Sequence, residues 1–189
     1  MSIILGLVGQ QASGKGAVAA YIEKKYGAKP FRFSQVLFSA LARLSLSQTR
    51  DHLIKLSEQL RAHFSETVLA DALEKETRTT NAPVIIIDGV RRPADIAPFQ
   101  GNPNFFLIAV TASPEHRFER ARLRAEKPEE ATMTYEAFLK SHTRSTEITA
   151  KAMEEHASLV WNNDGSFDDL YRQIDSFFAD RGIQKIVTL

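Results

Sequence analysis

A glycine-rich segment that ends in a lysine lies near the N-terminus, and its composition is that of a phosphate-binding loop. Its residues meet the pattern G-x-x-x-x-G-K in the order Gly9, Gln10, Gln11, Ala12, Ser13, Gly14 and Lys15, followed by Gly16 and Ala17. Glycine lets backbone amides turn inward without hindrance from a Cβ, and the helix that follows adds the positive end of its dipole. The Lys15 ammonium supplies a charge for the outer phosphates. We therefore expect residues 9–17 to bind a nucleoside triphosphate and Lys15 to act in catalysis.

The position after Lys15 departs from the usual form of this pattern. A serine or threonine hydroxyl commonly stands there and binds Mg²⁺, whereas this chain has Gly16 and then Ala17. Phosphate oxygens, water and a carboxylate from another part of the chain must then hold the metal. A plain glycine-rich turn is the alternative interpretation. The apolar run directly before Gly9 and the helical pattern directly after Lys15 favour the phosphate site.

A second group of polar residues follows the apolar run at residues 84–87. Asp88 ends this run, and Arg91 and Arg92 come shortly after it. An aspartate at the end of a buried strand beside a phosphate loop can orient water bound to Mg²⁺, and Arg91 would emerge at the same edge towards an acceptor phosphate. We therefore predict catalytic roles for Asp88 and Arg91, and a solvent-facing Arg92. The alternative is a β-turn at Asp88 with two surface arginines.

The elements that must position these residues follow from the hydrophobic pattern. Continuous apolar runs, typical of strands buried on both faces, alternate with helical patterns, and this predicts a parallel sheet with crossover helices. The expected strands are residues 3–8, 84–87 and 105–110, shorter ones at 31–33 and 158–161, and an edge strand at 183–189. The expected helices are residues 14–26, helices within 34–78 interrupted near 45–49 and near 65, one that begins after 113–115, and 166–179. The phosphate loop is then the first connection from strand to helix, where open parallel sheets bind ligands.

Length and composition limit the class of protein. The chain has 189 residues, of which 43% are hydrophobic and 25% charged, and this suits one globular domain. A net charge of +1 gives no general attraction to nucleic acid or to membranes. With no cysteine, and with five histidines that lack the spacing of metal ligands, the sequence does not favour a disulfide framework or a metal hydrolase. The apolar run at 3–8 is too short to span a bilayer, so we predict a cytoplasmic protein.

With its Gly-Lys-Gly sequence at residues 14–16, the chain resembles the adenylate-kinase-like nucleoside monophosphate kinases. The segment from Arg50 to Arg61, with leucines at 53, 56 and 60, is similar to a branch of these proteins common in archaea, and the chain also resembles dephospho-CoA kinases. The resemblance implies an α/β fold of the three-layer P-loop NTPase type, with a five-stranded parallel sheet flanked by helices and a small helical lid. Residues 1–189 would form one P-loop kinase domain, with acceptor-binding helices at 34–80 and the lid at 117–145.

The resemblance also assigns residues to the acceptor side. Ser34 matches a hydroxyl residue that the family carries soon after the second strand, and Arg50 matches an acceptor-binding arginine at a helix start. Arg50 and Arg61 share one side of a 3.6-residue helix, so two guanidinium groups can bind one phosphate. A solvated basic face beside a leucine stripe is the alternative for Arg61. Together with Arg91, and with Arg144 from the lid, these residues form the predicted acceptor site.

The arginines of the predicted lid follow the fourth strand. Arg117, Arg120 and Arg124 are spaced by three and four residues, so they lie along one face of a helix. The resemblance implies that they close over the transferring phosphoryl group, with Arg117 on the triphosphate and the other two in catalysis. Arg144 resembles the arginine of the returning lid, although Ser145 stands where the family has an acidic residue. Ordinary surface arginines on a helix are the alternative.

The loop after the last predicted strand has two compatible interpretations. The resemblance implies that it borders the adenine base, with Asn163 and Gly165 in contact with the nucleotide. The residue pattern by itself predicts a turn, followed by Ser166 as the N-cap of the last helix.

The function that the resemblance implies is ATP-dependent phosphoryl transfer to the phosphate of a nucleoside monophosphate or a similar small nucleotide. ATP would be the donor, with Mg²⁺ as cofactor, in a monomer or homodimer that has no stable nucleic acid partner and no membrane association. Dephospho-CoA kinase-like transfer to a sugar hydroxyl is one alternative, which the absence of an aspartate-rich element at residues 33–35 disfavours. A nucleotide-binding regulator or slow ATPase is a second alternative, because no hydroxyl that could bind Mg²⁺ follows Lys15.

Overall fold

The computed structural model describes residues 2–124, 131–141 and 145–186. At its centre is a parallel sheet of five strands, arranged in the order β2-β3-β1-β4-β5. The strands are β1 (Ile3–Val8), β2 (Lys29–Arg32), β3 (Val84–Asp88), β4 (Phe105–Thr111) and β5 (Leu159–Asn162). Each pair of neighbours is separated in the chain by a crossover, as parallel pairing requires.

The helices lie between the strands or follow the last one. Those of the described residues are α1 (Lys15–Tyr26), α2 (Phe33–Arg43), α3 (Arg50–His63), α4 (Val68–Thr77), α5 (Pro114–Arg124), α6 (Tyr135–Ser141), α7 (Ser145–Glu154) and α8 (Phe167–Ala179). Short 3₁₀ turns occupy Pro93–Asp95 and Ala97–Phe99. Side-chain hydroxyls cap two helix starts, since Thr49 accepts from the amide of His52 and Ser166 accepts from that of Asp169.

Helices cover both faces of the sheet, and this explains why its strands are apolar without alternation. On one face, Leu5 and Leu7 pack with α1 and α8 through Ile22 and Phe178. On the other face, Ile85 and Ile87 belong to a core cluster that includes residues of α2 and α4. Burial of both faces leaves no position on β1, or on β3 before Asp88, where a polar residue gains by facing water.

The strand register brings the loops of interest to one edge of the sheet. Asp88, the last residue of β3, is level with Leu7 on β1 and with Arg32 on β2. On the other side, Thr111 of β4 is level with Asn162 of β5. Because all strands run in the same direction, the loops that follow them share this carboxyl-terminal edge.

The predicted fold class is confirmed, and most of the predicted strands and helices differ from the observed ones by one or two residues at their ends. The second strand ends at Arg32 because Phe33 already begins α2 and packs into the core. The expected edge strand at 183–189 does not form over residues 183–186, where the amide of Ile186 donates to the carbonyl of Lys25 at the end of α1 and not to the sheet. Residues 187–189 lie outside the described part. Over the described residues, no helix has the length and hydrophobicity that crossing a bilayer requires.

Candidate functional site

The predicted phosphate loop connects β1 to α1, and two of its glycines are required by its shape. Gly14 has a φ angle of 108°, and a Cβ on it would lie 2.0 Å from Nδ2 of Asn163. A Cβ on Gly9 would lie 2.4 Å from the carbonyl oxygen of Val110. Both positions therefore exclude any side chain, and the loop passes close against the ends of β4 and β5.

Lys15 is the first residue of α1, and its ammonium group turns back onto the loop. Nζ donates to the carbonyl oxygen of Gly9 and, over 3.0 Å, to that of Gln10. The positive charge thus lies within the concave side of the loop, beside the start of a helix. Phosphate oxygens that enter the loop would compete with these carbonyls for the ammonium protons.

The Asn163 side chain is buried and binds the phosphate loop, so it is not free to contact the adenine base. It is 1% exposed, and its Nδ2 donates to the carbonyl oxygen of Ser13 over 2.8 Å. Its own carbonyl oxygen accepts from the Arg120 guanidinium over 2.6 Å. The predicted contact of this side chain with the nucleotide is therefore replaced by a contact with the loop. Gly165 is exposed in the following turn, and Ser166 caps α8.

Two arginines that are predicted to bind the acceptor are exposed. Arg50 is the first residue of α3, and Arg91 lies in the loop after β3. Neither guanidinium has a carboxylate partner within the part of the chain that the structure describes. Ser34 lies in the first turn of α2 and is partly buried. Arg92, predicted to face solvent, is exposed and lies 3.5 Å from a carboxylate oxygen of Glu66.

Arg61 does not accompany Arg50 on an exposed basic face, and its predicted contact with the acceptor is corrected here. It is 9% exposed, and its guanidinium donates to the Asp95 carboxylate over 2.8 Å and to the carbonyl oxygen of Glu66. A buried arginine of this kind is held by its counterion, so Arg61 has a structural position. The helix forms as its periodicity predicts, but near its C-terminal end the side that includes Arg61 faces the protein interior.

The arginines of α5 contact the backbone around the phosphate loop. Arg117 is 3% exposed, and it donates to the carbonyl oxygen of Ala112 over 3.1 Å and to that of Gln11 over 3.5 Å. Its guanidinium also lies 5.7 Å from the ring centre of Phe138 on α6. Arg120 reaches Asn163, as described above, while Arg124 at the end of α5 is exposed. The predicted lid residue Arg144 lies outside the described residues.

Comparison with known proteins agrees with this geometry. A family model described as an AAA domain matches residues 8–138, which is more than half of the chain and includes the phosphate loop. The chain belongs to this AAA domain family. The match begins at the end of β1, directly before the loop glycines, and extends into α6.

Relatives of this AAA domain protein occur in archaea. A UPF0200 protein from Methanocaldococcus jannaschii is 25% identical over 180 residues, covering 94% of this chain and 90% of the relative. Another UPF0200 protein, from Hyperthermus butylicus, is 28% identical over 136 residues and covers 72% of each chain. These relatives agree with the archaeal-type branch predicted from the sequence, and the predicted P-loop family is confirmed.

Solved structures resemble the AAA domain protein over nearly its full length. Protein TT1252 from Thermus thermophilus gives a TM-score of 0.63 at 19% identity, covering 95% of this chain and 97% of that one. Shikimate kinase from Bacteroides thetaiotaomicron gives a TM-score of 0.58 at 13% identity, covering 95% and 98%. At these identities the likeness establishes the fold alone: a parallel sheet with helices on both faces.

Two residues that contact the site were not found from the sequence. Arg32 lies level with Asp88 in the sheet, and its Nε is 3.2 Å from a carboxylate oxygen of Asp88. Glu154, the last residue of α7, accepts a hydrogen bond from the backbone amide of Gln10 over 3.2 Å. In the sequence, each is a charged residue at the end of a strand or helix. Such residues are common on protein surfaces, so their position alone does not indicate a site.

The environment of Glu154 changes its proton affinity. Burial raises the pKa of its carboxyl group above the ordinary glutamate value, although the hydrogen bond from Gln10 and the positive charges of Arg117, Lys15 and Lys151 act in the opposite direction. Beside it, a cleft of about 440 Å³ runs between the phosphate loop and α7, and Gln10, Arg117 and Lys151 are among the residues that line it. An AAA domain with this arrangement has a carboxylate next to the amides that are predicted to bind phosphate.

Proposed function

We propose that this protein is an ATP-dependent phosphotransferase that phosphorylates a nucleoside monophosphate, or a similar small nucleotide, at its phosphate. One arrangement supports this above all: the phosphate loop with Lys15 at the start of α1, and the loop after β3 with the exposed Arg91, follow neighbouring strands at the same edge of the sheet. A donor site and a second anion site at one edge are what transfer between two phosphates requires.

On the donor side, the amides of the phosphate loop bind the triphosphate, and the Lys15 ammonium leaves the carbonyls of Gly9 and Gln10 for the outer phosphates. Mg²⁺, when bound with ATP, supplies positive charge that neutralises the phosphate oxygens. No group of three potential metal-ligating side chains occurs among the described residues. Phosphate oxygens and water would then supply most of the ligands of Mg²⁺. Asp88, which is partly exposed at the sheet edge, is the carboxylate that would hold the ion through water.

On the acceptor side, Ser34, Arg50 and Arg91 bind a phosphate monoester. Such a group is already an anion at neutral pH, because its second pKa is about 6, so it attacks without a general base. Residues 33–35 are Phe33, Ser34 and Gln35, and they offer no aspartate to deprotonate a sugar hydroxyl. This composition supports a phosphate acceptor over a hydroxyl acceptor of the dephospho-CoA type.

The arginines at 117–145 complete the site as a lid. Arg117 and Arg120 already contact the loops around the phosphate site. Arg124 and Arg144 are assigned to the same lid from their places in the sequence. Closure of such a lid excludes water and strengthens the attraction between guanidinium groups and the transferring phosphoryl group.

A nucleotide-binding switch or slow ATPase is the second candidate function. It is supported by Gly16, which gives the metal no hydroxyl ligand, and by Ser145 in place of an acidic lid residue. In that case ATP would bind and be hydrolysed slowly, and no acceptor would change the rate.

The experiment that separates these functions mixes the protein with ATP, Mg²⁺ and a panel of nucleoside monophosphates, with dephospho-CoA included, and measures ADP. Formation of ADP that depends on a nucleoside monophosphate supports the proposal. ADP formation that no acceptor accelerates contradicts it and supports the switch. Lys15→Ala is the matched control: it should remove nearly all transfer while the circular dichroism spectrum stays that of the wild type.

A further inference from the structure

Asp95, in the 3₁₀ turn after β3, is a buried carboxylate that accepts hydrogen bonds from three donors. It is 2% exposed. Its Oδ2 accepts from the backbone amide of Arg91 over 2.9 Å and from that of Arg92 over 3.2 Å. Its Oδ1 accepts from the Arg61 guanidinium over 2.8 Å. A carboxylate removed from water needs such partners, and these fix the backbone of the loop that carries Arg91.

Arg61 connects that carboxylate to a different element. It lies near the end of α3, the helix whose first residue is Arg50, and it also donates to the carbonyl oxygen of Glu66. The Arg61–Asp95 ion pair therefore joins α3 to the loop after β3 through the protein interior. The two exposed arginines of the acceptor side lie one on each of the joined elements.

Within the part of the chain that the structure describes, Arg91 is held through its backbone. Its side chain is exposed and has no carboxylate partner within the described residues, whereas its amide is bound to Asp95. The backbone anchor fixes where the Arg91 side chain starts and leaves its guanidinium available to a ligand.

We propose that Asp95 and Arg61 are positioning residues for the acceptor. Their ion pair holds the Arg91 loop against α3, so that Arg91 presents its guanidinium group to a phosphate monoester from a fixed backbone position. The proposal rests on the proposed function, because it needs a phosphate acceptor at this edge of the sheet. It gives no part in donor binding to either residue, since the contacts of the phosphate loop run to Asn163, Arg117 and Glu154 instead.

The test uses Asp95→Asn and Arg61→Lys. In Asp95→Asn, the side chain keeps an oxygen for the amides of Arg91 and Arg92 but loses the charge that binds Arg61. In Arg61→Lys, the charge pair with Asp95 remains, but the ammonium group cannot also make the second guanidinium hydrogen bond, which goes to the carbonyl oxygen of Glu66. Arg92→Gln is the matched control, because it alters an exposed pair in the same loop. All variants are assayed at a temperature at which circular dichroism shows them folded.

We expect Asp95→Asn to raise the KM for the nucleoside monophosphate about tenfold, because the loss of binding free energy is about that of one charge-assisted hydrogen bond. Arg61→Lys should raise this KM less. The KM for ATP should stay within about twofold of the wild type in both variants, a change that corresponds to less than one ordinary hydrogen bond. Calorimetry with the nucleoside monophosphate alone should show the same weakening.

Two failures remain distinguishable. A wild-type protein that phosphorylates no acceptor refutes the proposed function. A wild-type protein that does so, with variants that change the KM for ATP and for the acceptor equally or change neither, refutes the positioning role and leaves the function standing.

Discussion

The backbone amide of Gln10 donates a hydrogen bond over 3.2 Å to the carboxylate of Glu154, a residue 144 positions further along the chain. The bond places an acidic side chain at the first amide after Gly9, in a loop whose amides are expected to bind phosphate. Lys15, Arg117 and Lys151 are the positive groups that act on this carboxylate. A triphosphate that enters the loop must therefore compete with Glu154 both for the amide and for these charges.

Glu154→Gln should bind ATP more tightly than the wild type. Glutamine keeps the shape and an oxygen for the Gln10 amide, but it removes a negative charge beside the site. We expect an affinity gain of about three- to tenfold, since a unit charge at such a distance is worth about 1 kcal/mol when partly solvated. Calorimetry with ATP and Mg²⁺ measures it. Glu76→Gln, a change at an exposed acidic residue of α4 that does not line the cleft, is the control and should have little effect. Weaker binding by Glu154→Gln would mean that the carboxylate assists the nucleotide.

Glu154 should also make the stability of the folded protein depend on pH. Its pKa is raised in the folded state, chiefly by burial, so the folded protein prefers the neutral carboxyl group. Below the ordinary glutamate pKa the group is neutral in both states, and it contributes no penalty. As the pH rises from that value through the raised one, the unfolded chain releases the proton first and stability falls. Urea unfolding of the wild type and Glu154→Gln across this pH range should show the loss in the wild type alone. Parallel profiles would contradict it.

Two neighbouring glycines should respond oppositely to alanine. Gly14→Ala forces a Cβ onto Nδ2 of Asn163 at a left-handed backbone angle, so it should destabilise the protein and abolish ATP binding. Gly16→Ala meets no atom within 4 Å and lies in the first turn of α1, so it should stabilise the protein by about 0.5 kcal/mol. The free energy of unfolding from urea titration tests both. A destabilised Gly16→Ala variant would show that this position requires glycine.

How far the sequence anticipates the structure depends on the distance between partners in the chain. The phosphate loop, the strands buried on both faces and the Ser166 cap each follow from a few consecutive residues, and the structure has all of them. Asn163 and Ser13, by contrast, are 150 residues apart, and their bond exists only because β5 ends beside the phosphate loop. The Arg61–Asp95 pair depends in the same way on how α3 packs against the loop after β3. Helical periodicity put Arg61 on a face with Arg50 but could not reveal a buried carboxylate on another element.

Gly16→Ser should restore the hydroxyl that this phosphate loop lacks. The space around Gly16 is open, so the side chain enters without displacing a neighbour. If phosphate oxygens and water hold Mg²⁺, an added hydroxyl ligand should lower the Mg²⁺ concentration needed for half-maximal turnover at fixed ATP. Gly16→Ala is the control, because it shares the backbone effect and lacks the oxygen. Identical Mg²⁺ titrations for the two variants would show that the metal does not lie next to this position.

Arg91 and Arg92 are adjacent arginines that should differ in function. Asp95 binds both of their amides, but the Arg92 side chain lies beside Glu66, whereas Arg91 has no carboxylate partner within the described residues. Arg91→Ala should therefore raise the KM for the nucleoside monophosphate by about ten- to a hundredfold, as expected for loss of a charge-assisted bond to phosphate, and leave ATP affinity nearly unchanged. Arg92→Ala should leave both within about twofold, because an exposed ion pair contributes little. Equal losses for ATP and acceptor in Arg91→Ala would move this arginine to the donor side. If Arg92→Ala raised the KM for the nucleoside monophosphate more than Arg91→Ala did, Arg92 and not Arg91 would be the arginine that binds the acceptor phosphate.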